Sequence, residues 1–240
     1  MLIGRCIATA VAVRHQTDQS RVVTQEKLET LRRSNKIPMF EIKAVPLTSR
    51  SARAKRPLAD KTAPTKLRRL TATTLPKTSF GAPPRGLLSV AGMSFPCAIG
   101  RSAVKRRKRE GDLASPAGRF RLLAGFFKPT CPRPAAPWPM RPIRRADGWC
   151  DDPQSPAYNR PLRLPSRYNY EELWRNDGLY DLVVVLNYNI WPRRRQSGSA
   201  IFLHCAGPDF TPTAGCIALR AADLRKLLPR LAQKAALTIW

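Results

Sequence analysis

The chain has 240 residues, enough for one or two domains with a sizeable buried core, which excludes a mini-protein held together by staples. Its 43 Lys/Arg against 16 Asp/Glu give a formal charge of +27, so its surface is cationic and an anionic partner is expected. With 43% hydrophobic residues it is not disordered throughout, and no window offers the ~18 successive apolar residues a membrane span needs.

Residues 1–65 hold 13 Lys/Arg and 5 Asp/Glu, and the Pro46 to Thr65 stretch lacks any sustained apolar period. This composition predicts a basic, disordered tail. The apolar run Cys6 to Val13 follows a single Arg5 and is cut by Arg14-His15, a poor match to a secretory signal. Residues 66–240 carry all five Trp and all five Tyr, and form the predicted folded domain.

Within it, Leu87 to Ile99 reads as two strands joined by a turn at Ala91-Gly92, followed by the basic loop that opens at Gly100-Arg101. The run Val104-Lys-Arg-Arg-Lys-Arg109 suits either contact with an anionic polymer or a solvated loop. From Lys128 to Arg167 prolines recur too densely for long regular elements, and the aromatics that flank these loops, Trp138, Trp149, Tyr158, Tyr168, Tyr170 and Trp174, are expected to pack beneath them, with a sugar or peptide platform as the alternative. Strands are predicted for Leu179 to Leu186, Ser199 to Leu203, Cys216 to Leu219 and Leu237 to Trp240. One helix is expected where Leu224, Leu227, Leu228 and Leu231 recur at helical spacing, shortened by Pro229. Many short strands and one late helix predict a mainly β, sandwich or barrel-like domain with long Pro-rich loops.

His204, the only histidine after residue 65, follows one predicted strand, and Cys216 precedes the next twelve residues later. Antiparallel pairing of those strands would bring imidazole and thiol together. A free thiol near pKa ~8.5 is largely protonated at neutral pH, so a Cys nucleophile requires a base or an imidazolium that favours its thiolate. Gly215 would let a substrate carbonyl approach the backbone amides at 215 and 216 as an oxyanion site. The same residues also fit an inert core thiol and a structural histidine. Zinc ligation by His204, Cys205 and Cys216 is disfavoured, because neighbours on a strand point to opposite faces, and no C-x-x-C pair accompanies them.

The segment from His204 through Thr213-Ala-Gly-Cys216 resembles the active-site signature of the L,D-transpeptidase catalytic domain (YkuD type), in particular a compact branch. Gly100-Arg-Ser, Arg109-Glu-Gly-Asp112, Ser115-Pro116-x-Gly118-Arg-Phe120, Gly148 to Pro153, Tyr158 to Pro161 and Leu179 to Asn187 are similar to it in the same order. The chain departs from the pattern at Ala214, where many members carry a second histidine, and in its short gap between His204 and Cys216. The resemblance implies a cofactor-free, metal-free acyl transfer. Cys216 is the implied nucleophile, His204 the base, and the backbone carbonyl of Cys205 the group orienting the imidazole. Gly215 would supply an oxyanion amide, and Thr213, Asp112 and Arg101 are expected to contact substrate. The implied partners are peptidoglycan stem peptides and an anionic wall polymer, in the periplasm or cell envelope, with hydrolysis of the same thioester as the alternative outcome. The charge also permits nucleic-acid binding, but no RRM-type aromatic motif, zinc finger or helix-turn-helix pattern accompanies it.

Overall fold

The computed structural model describes residues 65–76 and 83–240; the predicted basic tail, but for its last residue Thr65, lies outside them. The strands in chain order are β1 (Leu67–Thr74), β2 (Arg85–Val90), β3 (Met93–Ala98), β4 (Val104–Lys105), β5 (Ser115–Pro116), β6 (Gly118–Phe127) and β7 (Met140–Pro142). They continue with β8 (Asp147–Cys150), β9 (Pro161–Arg163), β10 (Tyr170–Glu172), β11 (Leu182–Leu186), β12 (Phe202–Cys205), β13 (Ile217–Leu219) and β14 (Leu231–Ile239). One helix, α1 (Ala221–Leu227), precedes β14.

The main sheet runs β11-β12-β13-β3-β2-β1-β14-β6-β7, and β11 also pairs with β6. Eight strands therefore close on themselves, which removes their free edges and leaves β7 as an outer addition. The expected mainly β, barrel-like domain is the architecture observed. β2 and β3 form the predicted hairpin. Both turn residues, Ala91 (φ 46°) and Gly92 (φ 77°), are left-handed, as a two-residue turn matched to strand twist requires.

Pro229 ends α1: the chain tightens into a 3₁₀ turn over Leu228–Arg230 and enters β14. Leu231 is buried as expected, but from the strand. That strand begins six residues earlier than predicted and lies between β1 and β6. In the Pro-rich segment only the three-residue β7 and β9 and the four-residue β8 fit. β8 is the centre of a small sheet with β9 and β10. Trp138, Trp149 and Tyr158 are buried beneath these loops, whereas Tyr168 and Trp174 are half-buried and Tyr170 is exposed.

One expectation is corrected. β12 and β13 pair in parallel, with Leu203 opposite Ile217 and His204 opposite Ala218, because residues 206–216 cross back over the sheet end instead of making a hairpin. His204 and Cys205 also lie inside β12 rather than after it.

Candidate active site

Parallel pairing still brings the two residues to one face. His204 opposes Ala218, and Cys216 stands two residues before Ala218, so alternation directs both side chains to the same side of the sheet. A two-residue offset across neighbouring strands separates their backbones by roughly 8 Å, within reach of a side-chain pair. Both line a cleft of about 570 Å³, whose wall also includes Tyr180, Thr213, Arg175 and the carboxylates of Glu110, Asp151, Glu171 and Asp177.

His204 is nearly enclosed. Its Nδ1 lies 2.8 Å from the carbonyl oxygen of Cys205, which can only accept, so Nδ1 carries the hydrogen and Nε2 is left with its lone pair. The Tyr180 ring packs edge-on against the imidazole at 5.2 Å, and the Arg175 guanidinium lies over the Tyr180 ring at 5.2 Å. Arg175 is in turn anchored by Asp177 and by Glu171, the latter at 3.0 Å. Burial lowers the His204 imidazole to about 4 against the opposing pull of the Cys205 and Leu179 carbonyls, so it is neutral near pH 7.

The Cys216 sulfur donates its hydrogen to the Ala200 carbonyl at 3.2 Å and accepts from the Phe202 amide at 3.3 Å. Burial pushes the thiol up to about 12, although the Phe202 amide favours the thiolate. Burial thus opposes ionisation of both groups in the resting cleft, of the thiol to thiolate and of the imidazole to imidazolium. Of the two routes to an activated thiol named from the sequence, a neutral imidazole acting as base fits this desolvation better than an imidazolium.

The turn before Cys216 is built by Thr213. Its hydroxyl donates to the Cys216 carbonyl at 2.7 Å and accepts from the Gly215 amide at 3.1 Å. Gly215 has φ +144°, and a Cβ there would stand 2.7 Å from the Ala114 carbonyl oxygen, so the position demands glycine. Of the residues expected at the site, His204, Cys216 and Thr213 line the cleft. The Gly215 amide is engaged by Thr213. Arg101 is exposed and is not a lining residue; its backbone amide instead donates to the Thr213 carbonyl at 2.9 Å. Asp112 turns its carboxylate inward to the Arg109 and Ala114 amides and to Lys108, while its neighbours Gly111 and Leu113 face the cleft. Tyr180, Ala200 and the Glu171–Arg175–Asp177 group were not singled out from sequence, since nothing in their spacing relates them to residues 204–216.

The family model for the L,D-transpeptidase catalytic domain matches residues 89–239, from the first hairpin through β14. The chain belongs to that family. No curated protein sequence matches it. Among solved structures, it is similar to the crystal structure of Mycobacterium tuberculosis L,D-transpeptidase 1, at 12% identity and a TM-score of 0.30. That alignment covers 72% of this chain and 61% of the other, so the chain spans under two thirds of the neighbour's length. Within this L,D-transpeptidase domain, no group of three or more possible metal ligands occurs among the described residues, and none of the described helices is long and apolar enough to cross a membrane.

Proposed function

We propose that this domain transfers peptidoglycan stem peptides through a thioester on Cys216. The observation that carries the proposal is the joint placement of Cys216 and His204 on one sheet face, in one cleft, with the imidazole held by the Cys205 carbonyl so that Nε2 keeps the lone pair a base needs. Family membership supports the reaction class.

In the first half-reaction the thiol turns from the Ala200 carbonyl toward His204. As sulfur bonds to the donor carbonyl carbon, its proton moves to Nε2. The wide separation between a thiol near 12 and an imidazole near 4 disfavours a preformed ion pair, so proton transfer accompanies attack. The tetrahedral intermediate then collapses, the C–N bond to the terminal D-Ala breaks, and the departing nitrogen takes the proton from the imidazolium. In the second half-reaction an acceptor amine attacks the thioester and gives its proton to His204, and the sulfur leaves and is reprotonated. Backbone amides at positions 215 and 216 are the proposed oxyanion donors; the Gly215 amide must exchange Thr213 for the oxyanion to take part.

The cleft wall favours an amine as acceptor. Its acidic residues Glu110, Asp151, Glu171 and Asp177 outnumber its cation Arg175 and make it locally anionic on an otherwise cationic protein, which draws in an ammonium group before it loses its proton. The decisive experiment is mass spectrometry of the protein incubated with disaccharide-tetrapeptide. An acyl adduct on Cys216, released D-Ala and cross-linked dimer are expected. Released D-Ala with only tripeptide product would instead establish hydrolysis, and no adduct would defeat the thioester mechanism.

A further inference from the structure

The basic run at residues 104–109 divides in the folded domain. Arg106, Arg107 and Arg109 are exposed, whereas the Lys108 side chain retains only 3% of its accessibility. Its ammonium is paired with Asp112 at 2.8 Å. Burial works to raise the Asp112 carboxyl, but Lys108 and the amides of Arg109 and Ala114 overcome it and hold the group below the usual carboxylate range. A buried ion pair stabilises a fold poorly compared with apolar groups of the same volume, so its location calls for another explanation.

Lys108 threads between two glycines, both with left-handed φ. A Cβ at Gly198 (φ +94°) would lie 2.7 Å from Lys108 Cε and 3.1 Å from Cδ, and one at Gly215 (φ +144°) would lie 3.4 Å from its Nζ. These glycines belong to the two segments that hold the sulfur. Gly198 stands two residues before Ala200, whose carbonyl takes the thiol hydrogen, and Gly215 stands immediately before Cys216 itself.

We propose that Lys108, fixed by Asp112 beneath Gly198 and Gly215, is a positioning residue for Cys216, its stem setting the two segments around the sulfur and its ammonium offsetting the charge that develops there during attack. The inference rests on the reading of Cys216 as the nucleophile. Lys108 is the cation that lowers the Cys216 thiol, whereas Glu171 opposes it from β10. Of the other ionisable groups that line the cleft, Glu110, Asp151 and Asp177 are acidic, Arg175 is paired with Glu171 and Asp177, and Tyr180 and His204 are neutral near pH 7 because burial lifts the tyrosine well above its ordinary value and depresses the histidine. Lys108 therefore acts on sulfur ionisation in the same direction as the Phe202 amide and against burial and Glu171.

The test is the rate of iodoacetamide alkylation of the Cys216 peptide, mapped by mass spectrometry between pH 6 and 10 in the full chain. Lys108→Met is expected to displace the rate–pH curve upward by about half a pH unit or more, which makes alkylation more than about threefold slower at each pH below the midpoint. Lys108→Arg, which keeps the charge, should stay within about threefold of wild type. In turnover, Lys108→Met should lower kcat and leave KM within about twofold. Where Lys108→Met loses its native melting transition, Lys108→Gln takes its place, since its amide can still donate to Asp112. A folded, uncharged variant whose curve coincides with wild type overturns the inference and leaves Lys108 a structural residue. Alkylation needs no substrate, so failure of the transpeptidase reading, seen as unaltered turnover in Cys216→Ala, shows separately.

Discussion

The barrel strands bury two unlike surfaces. On the inner side, Leu182, Val184 and Leu186 of β11 and Leu203 and Cys205 of β12 join a large aliphatic cluster with Leu70, Leu88, Ile217 and Leu237. On the outer side, Val183 and Val185 and the intervening Phe202 meet Phe126, Trp149, Tyr180 and Cys216 in a smaller, aromatic cluster under the Pro-rich loops. Phe202 contacts Trp149 and Tyr180 edge-on at 5.2 and 6.1 Å, and the Trp149 Nε1 donates to Asn159 at 2.9 Å. The inner face is built from interchangeable hydrocarbon volume. The outer face fixes orientation through ring edges and single hydrogen bonds, which a site for chemistry needs.

That contrast is broken most sharply by Cys216→Ala. It should abolish turnover while the melting temperature changes little, because a small side chain replaces another; retained turnover in purified variant would exclude the proposed nucleophile. Next, His204→Ala should slow turnover on the order of 10²–10⁴-fold, and steady-state kinetics with an unchanged rate would move the base elsewhere. The inner face should behave in reverse. Leu203→Ala, fully enclosed in aliphatic contacts, is expected to destabilise the domain by about 2–5 kcal/mol with turnover per folded molecule retained; urea titration measures the first and active-site labelling normalises the second.

The smallest effect sharpens the comparison through pH. His204 is depressed from 6.5 to about 4 in the folded state, so the unfolded chain binds the extra proton between those values. Its contribution, about 3 kcal/mol if the whole difference is expressed, is present above pH 6.5 and is lost as pH falls toward 4. Melting curves between pH 7 and 4 should therefore decline more steeply in wild type than in His204→Gln, and parallel slopes would mean the imidazole is not buried uncharged.

The strands rich in Val, Ile and Leu, β11 and β13, and the hairpin of β2 and β3 were legible because burial on both faces or a turn signal marks them in the sequence. β6 was not, although Arg119 and Arg121 alternate with Phe120 and Leu122 as in a half-buried strand, because the alternation is short and gives way to Leu123-Ala124-Gly125, where it is lost. β14 was legible only at its end, because Ala232, Gln233, Lys234 and Ala235 favour helix locally and sheet closure overrides them. At the site, His204 and Cys216 stood out because they are near in sequence and chemically distinctive. The parallel pairing did not, as it depends on the path of residues 206–216. Lys108 was hidden among cations: within a run of identical charges, spacing does not tell the buried member from the solvated ones.

The insertion of β14 between β1 and β6 carries a kinetic consequence. The barrel acquires its closing hydrogen bonds from the strand synthesised last of those described, and β1, which it meets in parallel, is the first. Closure therefore requires a contact that spans nearly the whole domain, whose loop entropy must be met before the strand pairing rewards it. Until β14 arrives, β1 and β6 present unpaired edges, and a nascent domain stalled short of residue 231 would be a candidate for chaperone capture rather than a partly active enzyme.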